Sequence, residues 1–230
     1  MYSSDSLLRD NLIQAHAAAW HRIGAAGDFF TAADRVEMVR SAREALDCPL
    51  CTQRKAALSP NTVSGTHAGD AKLNDSIVDL IHRLVTDPGR LTRSWFDGVV
   101  SSGVAPQAYV EIVSVVASSV IIDTLHQALG FERPTLPAPQ PGAPRGAYNT
   151  HAVDAGAWVP ILDAPVAMGG AGLPQVPNIV RALGLVPSGV ELFFGTFRPH
   201  YALQSVPLSI SQTQAEFVAA RVSAINECFY

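Results

Sequence analysis

The chain has 230 residues, 48% of them hydrophobic, and a formal net charge of −4, which is enough material for one large globular domain or two small ones. Its 16 basic residues include no Lys- or Arg-rich run, so the sequence offers no electrostatic surface for nucleic acid or for an anionic membrane. The first residues lack the pattern of a signal peptide, and no apolar run reaches the roughly 18 residues of a membrane-spanning helix. We therefore expect a cytoplasmic protein without nucleic-acid or membrane partners.

Two amphipathic helices are predicted in the N-terminal part of the chain. Apolar residues at spacings of three and four predict the first helix over residues 6–23, where two glycines close it. Thr31, with Asp34 three residues later, is typical of a helix N-cap, and the pattern that follows predicts a second helix as far as Asp47. This second helix therefore ends directly before Cys48.

Cys48 and Cys51 form the one Cys-x-x-Cys motif of the chain. The proline after Cys48 cannot continue the preceding helix but suits the first position of a new one, so we predict Cys48 as the N-cap of a helix over residues 49–58. The positive end of that helix dipole, together with Arg54 and Lys55, favours the thiolate of Cys48. Cys51 would be the resolving thiol.

The middle of the chain predicts a loop over residues 59–73 and then three helices. The three helices are predicted to begin at Asn74 or Asp75, at Asp87-Pro88, and at Pro106. The last of them is the longest and runs to Gly130. Its central part, residues 112–122, is apolar or small throughout but too short to cross a bilayer, which indicates the buried central helix of a bundle.

A second helical region follows a connection rich in proline and glycine. Helical patterns return at residues 179–183 and 188–197. Ser211, with Gln214 in the capping-box position, then begins a final helix that leads to Cys228. The apolar residues of this helix are expected to face inward: Phe217, Val218, Val222 and Ile225.

The spacing between helix cap and cysteine occurs twice in the chain. Thr31 lies 17 residues before Cys48, and Ser211 lies 17 residues before Cys228. This repetition predicts two related helical units in an all-α fold. The predicted organisation is an N-terminal unit at 1–130, the connection at 131–177, and the start of a second, incomplete unit at 178–230.

The second copy, from Gln214 to Tyr230, resembles the active-site helix of the alkylhydroperoxidase (AhpD-like) and carboxymuconolactone decarboxylase superfamily. In that family a glutamate twelve residues before the first cysteine, a Cys-x-x-Cys pair and a histidine four residues beyond it form a thiol peroxidase centre. Glu216 and Cys228 match the first two positions. The resemblance implies an AhpD-like helical bundle, usually a homo-oligomer, that reduces peroxides through a cysteine pair recycled by an external thiol donor.

Both copies depart from the family pattern. The sequence ends at Tyr230, and the second cysteine would be the next residue, so the C-terminal copy as it stands has neither that thiol nor the histidine. The N-terminal copy has both cysteines, but Val36 occupies the gapless position of the glutamate, with Glu37 beside it, and Lys55 replaces the histidine. Further groups for the acid–base role are Glu44, Glu111 and His126.

A metal site is the competing interpretation of the Cys-x-x-Cys motif. Zinc requires four ligands, and the sequence has no second close pair of cysteine or histidine residues to complete them. The residues available for this role are scattered along the chain: His67, His82, His126, His151 and Cys228. The sequence therefore favours redox use of the thiols, and we predict no metal and no organic cofactor.

The principal hypothesis is a thiol-dependent peroxidase or disulfide reductase in which Cys48 attacks and Cys51 resolves. One alternative is a non-catalytic helical protein that binds a ligand or partner, and another is a decarboxylase-type enzyme that does not use the cysteines. The predicted catalytic residues are Cys48, Cys51, Glu37, Glu216, Cys228 and His126. The predicted partners are a peroxide or other small substrate and an external dithiol.

Overall fold

The computed structural model describes residues 1–2, 8–163, 176–201 and 208–225. Within these ranges most residues are helical and no β-strand occurs, apart from an isolated bridge between Val153 and Ile161, so the all-α prediction is confirmed. The α-helices of the described ranges are α1 Asp10–Ile23, α2 Ala32–Glu44, α3 Pro49–Ala56, α4 Asp75–Thr86, α5 Arg93–Ser101, α6 Pro106–Ala128, α7 Asn178–Leu183, α8 Pro187–Phe197 and α9 Gln212–Ile225.

The junction between α2 and α3 follows the sequence prediction closely. The α-helical part of α2 ends at Glu44, and the chain tightens into a 3-10 turn over Ala45–Asp47. Cys48 is extended, with φ −75° and ψ 120°, and it is the N-cap of α3, with proline at the first helical position as predicted. Helix α3 ends at Ala56, two residues before the predicted end.

Side-chain caps fix the start of α2 and α4. Thr31 and Asp34 form the predicted capping box, in which each side chain accepts a hydrogen bond from the other residue's backbone N–H. The side chain of Asn74 accepts a hydrogen bond from the backbone N–H of Ser76 and caps α4. Both starts were readable from the sequence because a cap involves residues that are close along the chain.

The predicted start of a helix at Asp87-Pro88 is wrong. Pro88–Arg90 forms only a 3-10 turn, and Leu91 after it is extended. Helix α5 begins later because the Thr92 side chain accepts a hydrogen bond from the backbone N–H of Trp95 and supplies the cap.

Helix α6 is the central helix of the bundle, as predicted. It packs against α8, α2 and α4, and Ile112, Val115 and Ile122 on it are fully buried. Its length and composition would also suit a membrane span, which is weak evidence because the core helix of a bundle passes the same test. Leu192 of α8 belongs to the same apolar core as residues of α1, α2, α4 and α6.

The described part of the proline-rich connection, residues 131–163, contains no helix and runs along the N-terminal helices. The backbone N–H of Gln140 donates to the carbonyl of Gly24, and the indole N–H of Trp20 donates to the carbonyl of Thr135, both at 2.8–2.9 Å. These bonds attach the connection to α1. The predicted division into two repeated units stays a prediction.

Helix α9 has the predicted start but not the predicted burial. Ser211 and Gln214 form the capping box. Only Ala215 among the described residues of α9 is buried, and the residues expected to face inward are all at least half exposed: Phe217, Val218, Val222 and Ile225. The prediction of an inner face is therefore wrong, because α9 lies at the periphery of the described structure.

Candidate functional site

Cys48 and Cys51 lie at the junction of α2 and α3, the first as N-cap of α3 and the second in its first turn. Both thiols are free and buried, with exposed fractions of 1% and 3%. They are 3.7 Å apart and are not joined in a disulfide. Together with Leu50 and the partly buried Val63 they form a small apolar cluster that is separate from the two larger cores.

Two histidines that are distant in the sequence lie against the thiols. His67 comes from the loop between α3 and α4, and its Nδ1 is 3.6 Å from the Sγ of Cys48 and 3.6 Å from the Sγ of Cys51. His82 comes from α4, and its Nδ1 is 3.3 Å from the Sγ of Cys51. The ligand atoms of these four side chains all lie within 4.8 Å of one another.

The second ring nitrogen of His67 is held by a carboxylate. Its Nε2 lies 2.9 Å from Oδ1 of Asp79, one turn before His82 on α4. The same carboxylate is bound by the guanidinium of Arg54, whose Nε donates to the carbonyl of Val63 at 3.0 Å. A carboxylate at one ring nitrogen fixes the orientation of the imidazole and directs the other nitrogen to the thiols.

The surroundings of Cys48 favour its thiolate. Burial by itself would raise the pKa of this thiol, but hydrogen bonds from the backbone N–H groups of Cys51 and Ala68, and then from the side chains of His67 and Cys51, lower the pKa to about 7. One of these donors, the backbone N–H of Cys51, belongs to the first turn of α3. The N-terminus of α3 therefore stabilises the Cys48 thiolate, as the sequence predicts.

The two histidines are in opposite electrostatic situations. Burial disfavours the charged ring of His67, but its hydrogen bonds, first with Asp79 and then with the two cysteines, raise its pKa to about 10. Burial, followed by the positive charge of His67, lowers the pKa of His82 to about 4, so His82 is neutral at neutral pH. The Nε2 of His82 is buried without a hydrogen-bond partner in the described part of the chain.

An open cleft of about 790 Å³ lies beside the cluster, and His67, Asp79 and Arg54 form part of its wall. The apolar side chains in its wall include Trp95 and Val99 of α5. Within the described ranges the two cysteines do not line this cleft. A small molecule in the cleft would therefore meet the histidine and carboxylate before it reaches the sulfurs.

The predicted acid–base residues on α2 have other partners. The carboxylate of Glu37 accepts hydrogen bonds from the side chain of Arg40 at 3.2 Å and from the backbone N–H of Lys72 at 2.9 Å. Glu44 accepts from the backbone N–H of Asp70 at 3.0 Å. The bonds from Lys72 and Asp70 attach α2 to the loop that carries His67, and none of the three bonds involves a cysteine.

Two of the remaining predicted site residues have other hydrogen-bond partners, and the third is not among the described residues. His126 is buried on α6, with its Nδ1 2.8 Å from the carbonyl oxygen of Ile122. Glu216 accepts a hydrogen bond from the hydroxyl of Tyr201 at 2.5 Å. Cys228 lies outside the described residues. The structure therefore brings together only Cys48 and Cys51 of the predicted catalytic set, among the residues that it describes.

Glu111 is buried on α6 and is fully engaged in structural contacts. Its Oε1 lies 2.9 Å from Nη1 of Arg35, and its Oε2 accepts from the backbone N–H groups of Asp28 at 3.0 Å and Phe29 at 2.7 Å. Burial raises the pKa of this carboxyl, and Arg35 and the two backbone donors oppose the rise. Glu111 thus ties α6 to α2 and to the turn before it.

In the sequence His67 and His82 are only two of several scattered histidines, and Asp79 is not among the predicted site residues. His67 stands 16 residues and His82 stands 31 residues after Cys51, so no close spacing marks them as partners of the thiols. One signal was available, because Asp79 and His82 are three residues apart and share a face of α4.

The fold and the site define an all-helical protein with a buried Cys-x-x-Cys, two-histidine centre beside an open cleft. Comparison of the chain with protein-family models, with curated proteins and with solved structures finds no match.

Proposed function

We propose that this chain is a thiol–disulfide oxidoreductase whose centre is the Cys48–Cys51 pair, with His67 and Asp79 as the acid–base partners. One observation carries the proposal: two free thiols lie 3.7 Å apart, and both lie 3.6 Å from the same imidazole nitrogen. A thiolate, an imidazole and an orienting carboxylate are the groups that thiol chemistry requires. The AhpD-like resemblance and a homo-oligomeric state remain predictions that agree with this function.

The proposed reaction is a two-electron reduction of a small peroxide. The thiolate of Cys48 attacks one peroxide oxygen, the O–O bond breaks, and the leaving oxygen takes a proton from His67. Cys48 is then a sulfenic acid. Cys51 loses its proton and attacks the Cys48 sulfur, so that a disulfide forms and water leaves. An external dithiol restores the pair by exchange.

The burial of the thiols argues for a small oxidant. Exposed fractions of 1% and 3% leave no room for a folded protein to reach either sulfur, whereas the cleft beside His67 and Asp79 can admit a small hydroperoxide. The helix N-terminus makes Cys48 the attacking thiol, because it stabilises the thiolate. This favours redox chemistry over a decarboxylase-type use of the cleft, in which the thiol pair would take no part in the reaction.

The test is the intact mass of the full chain after thiol alkylation, on reduced, chelator-treated protein with and without one equivalent of hydrogen peroxide. The chain has three cysteines. We expect three alkylated thiols to fall to one, with Cys48 and Cys51 protected together. Labelling of all three thiols after peroxide would overturn the proposal.

Matched variants separate the two roles. Cys48→Ser should abolish the reaction with peroxide, and Cys51→Ser should stop it at a sulfenic acid that a dimedone-type reagent traps. Cys228→Ser is the control and should form the same disulfide as the unmodified chain. If Cys228→Ser alone prevents protection, the reactive pair includes Cys228 and the assignment of Cys48 and Cys51 is wrong.

A further inference from the structure

We infer that the side chains of Cys48, Cys51, His67 and His82 form a tetrahedral site for a zinc ion. This inference goes beyond the proposed redox function and does not depend on it. It rests on the positions of four side chains that three separate segments contribute: the first turn of α3, the loop before α4, and α4 itself.

The separations within the cluster match those of zinc ligands. With Zn–S bonds of about 2.3 Å and Zn–N bonds of about 2.05 Å, a tetrahedron has ligand separations of roughly 3.8 Å for S–S, 3.5 Å for S–N and 3.3 Å for N–N. The thiols of Cys48 and Cys51 are 3.7 Å apart. The three sulfur–nitrogen distances that involve His67 or Cys51 are 3.6, 3.6 and 3.3 Å.

The two remaining separations join His82 to Cys48 and to His67, and neither exceeds 4.8 Å. To complete the tetrahedron, the His82 side chain must move toward Cys48 and His67 until these separations reach about 3.5 and 3.3 Å. Four of the six edges of the tetrahedron are therefore already in place.

The arrangement around the ligands is that of a zinc site rather than of a chance cluster. The Nε2 of His67 is bound to Asp79, which gives the carboxylate–histidine pair that commonly orients a metal-bound imidazole. His82 is fully buried, and its Nδ1 faces the Sγ of Cys51, which is only a weak hydrogen-bond partner. A metal ion at Nδ1 would offset the desolvation of this ring.

Charge also favours a divalent ion at this position. Two thiolates and two neutral imidazoles bind one Zn²⁺ with no net charge, so the buried complex avoids the cost of an uncompensated charge. Mixed sulfur and nitrogen ligands in tetrahedral geometry suit zinc, whereas magnesium and calcium require oxygen ligands.

A bound zinc ion would connect parts of the chain that share little apolar packing. Among the described residues, the cluster around Cys48 and Cys51 contains only Leu50 and Val63 besides the thiols, and the loop that carries His67 has only a 3-10 turn at Pro60–Thr62. The ion would attach this loop and α3 to α4. If the proposed redox function holds, zinc would also keep both thiols from peroxide until it is released.

The test uses the full chain without a histidine tag, purified from zinc-supplemented medium. We expect one zinc ion per chain by elemental analysis. Chelator-treated protein titrated with Co²⁺ should give the absorption of tetrahedral cobalt with thiolate charge-transfer bands, and Zn²⁺ should displace the cobalt. Zinc below about a tenth of an ion per chain, together with no tetrahedral cobalt spectrum, would overturn the inference.

Variants identify the ligands. His67→Gln and Cys51→Ser should each weaken Co²⁺ and Zn²⁺ binding by at least about tenfold. His67 lies in a loop, so its variant should keep the helical circular dichroism even if a variant of the buried His82 does not fold. His151→Gln and Cys228→Ser are the controls and should bind metal normally. Unchanged binding in His67→Gln, or lost binding in Cys228→Ser, would exclude the proposed ligand set.

The zinc site and the redox function fail separately. Zinc binding with no disulfide in the chelator-treated protein would leave the metal site standing and remove the oxidoreductase. Disulfide formation in a chain that binds no zinc or cobalt would do the reverse.

Discussion

The imidazole of His67 is held by Asp79 on one side and faces two thiols on the other. Its Nε2 is 2.9 Å from Asp79 Oδ1, and its Nδ1 is 3.6 Å from both cysteine sulfurs. Asp79 therefore orients the His67 ring, and the ring in turn presents its Nδ1 to both thiols. Both proposals for this site, a dithiol redox centre and a zinc site, depend on that ring staying in this orientation.

Replacing Asp79 by Asn should weaken the site without removing any of the four proposed zinc ligands. The amide keeps the size of the side chain but loses the charge that orients and polarises His67, so we expect zinc affinity to fall by about 10- to 100-fold. Competition with a chromogenic chelator measures this. In zinc-free protein, His67 should also titrate at lower pH by NMR.

Asp75→Asn is the matched control for this variant. Asp75 lies in the first turn of the same helix, so its loss should cost α4 only a few tenths of a kcal/mol through the helix dipole. Equal zinc affinity and an equal His67 titration in Asp79→Asn and Asp75→Asn would show that Asp79 has no positioning role.

The buried ion pair of Arg35 and Glu111 should behave differently in single and double variants. Arg35→Met leaves the carboxylate of Glu111 buried without its ion-pair partner. This change should lower the free energy of unfolding by about 3–5 kcal/mol. Adding Glu111→Gln should recover most of this loss, because the neutral amide oxygen still accepts from the N–H groups of Asp28 and Phe29. Urea unfolding of the three proteins measures both steps.

Arg40→Met provides the comparison for an exposed pair. Arg40 is bound to Glu37 at the surface, where an ion pair contributes only about 0–1 kcal/mol. A loss in Arg35→Met as small as that in Arg40→Met, or a double variant no more stable than Arg35→Met, would contradict the structural role of Glu111.

Gly27→Ala should destabilise the protein because a Cβ at this position would overlap the carboxylate of Glu111 and the guanidinium of Arg35. The buried pair cannot move aside without losing its hydrogen bonds, so we expect a loss of about 2 kcal/mol or more by thermal or urea unfolding. Gly98→Ala in α5 is the control. A Cβ there meets nothing within 4 Å, and a gain of about 0.5–1 kcal/mol is expected from helix propensity.

Equal unfolding midpoints for the two glycine variants would mean that the chain before α2 can move away from Glu111. In that case the close approach at Gly27 would not fix the turn, and the prediction would be wrong.

Stability should fall as the pH falls below about 6.5, in part because of His16. This ring is fully buried, between the hydroxyl of Tyr2 at 2.5 Å and Nε2 of His200 at 2.7 Å. Burial, and then the neighbouring histidines His200 and His126, lower its pKa to about 4. At pH values between the ordinary histidine pKa and this lowered one, His16 is protonated in the unfolded chain but neutral in the folded protein. His16 therefore removes at most about 1.4 kcal/mol of stability for each unit by which the pH falls.

Urea unfolding at several pH values between about 7 and 4.5 measures this slope. His16→Gln keeps a polar side chain that can bond to Tyr2 but does not titrate. The free energy of unfolding of this variant should therefore depend less on pH, by up to about 1.4 kcal/mol per pH unit. Burial also lowers the pKa of His82 and of His200, so in zinc-free protein both rings contribute to the slope that remains in His16→Gln. An identical slope in the two proteins would show that His16 does not carry this pH dependence.

Local features of the fold were predictable from the sequence, and the failures have identifiable causes. The caps at Thr31, Asn74 and Ser211 were found because each is a hydrogen bond between residues two or three positions apart. The start of α5 was missed because Asp87-Pro88 and Thr92 both offer plausible starts. The apolar stripe of α9 was expected to be buried, but a stripe does not specify what covers it.

The sequence by itself determined that Cys48 caps a helix and that Cys51 follows in its first turn, because proline and the cap preferences act over a few residues. Only the tertiary structure decided that His67, His82 and Asp79 surround the thiols. Their approach depends on how α4 packs against α2 and α3 and on how a loop without regular structure returns to them. Contacts across 16 and 31 residues of chain leave no periodic signal in the sequence.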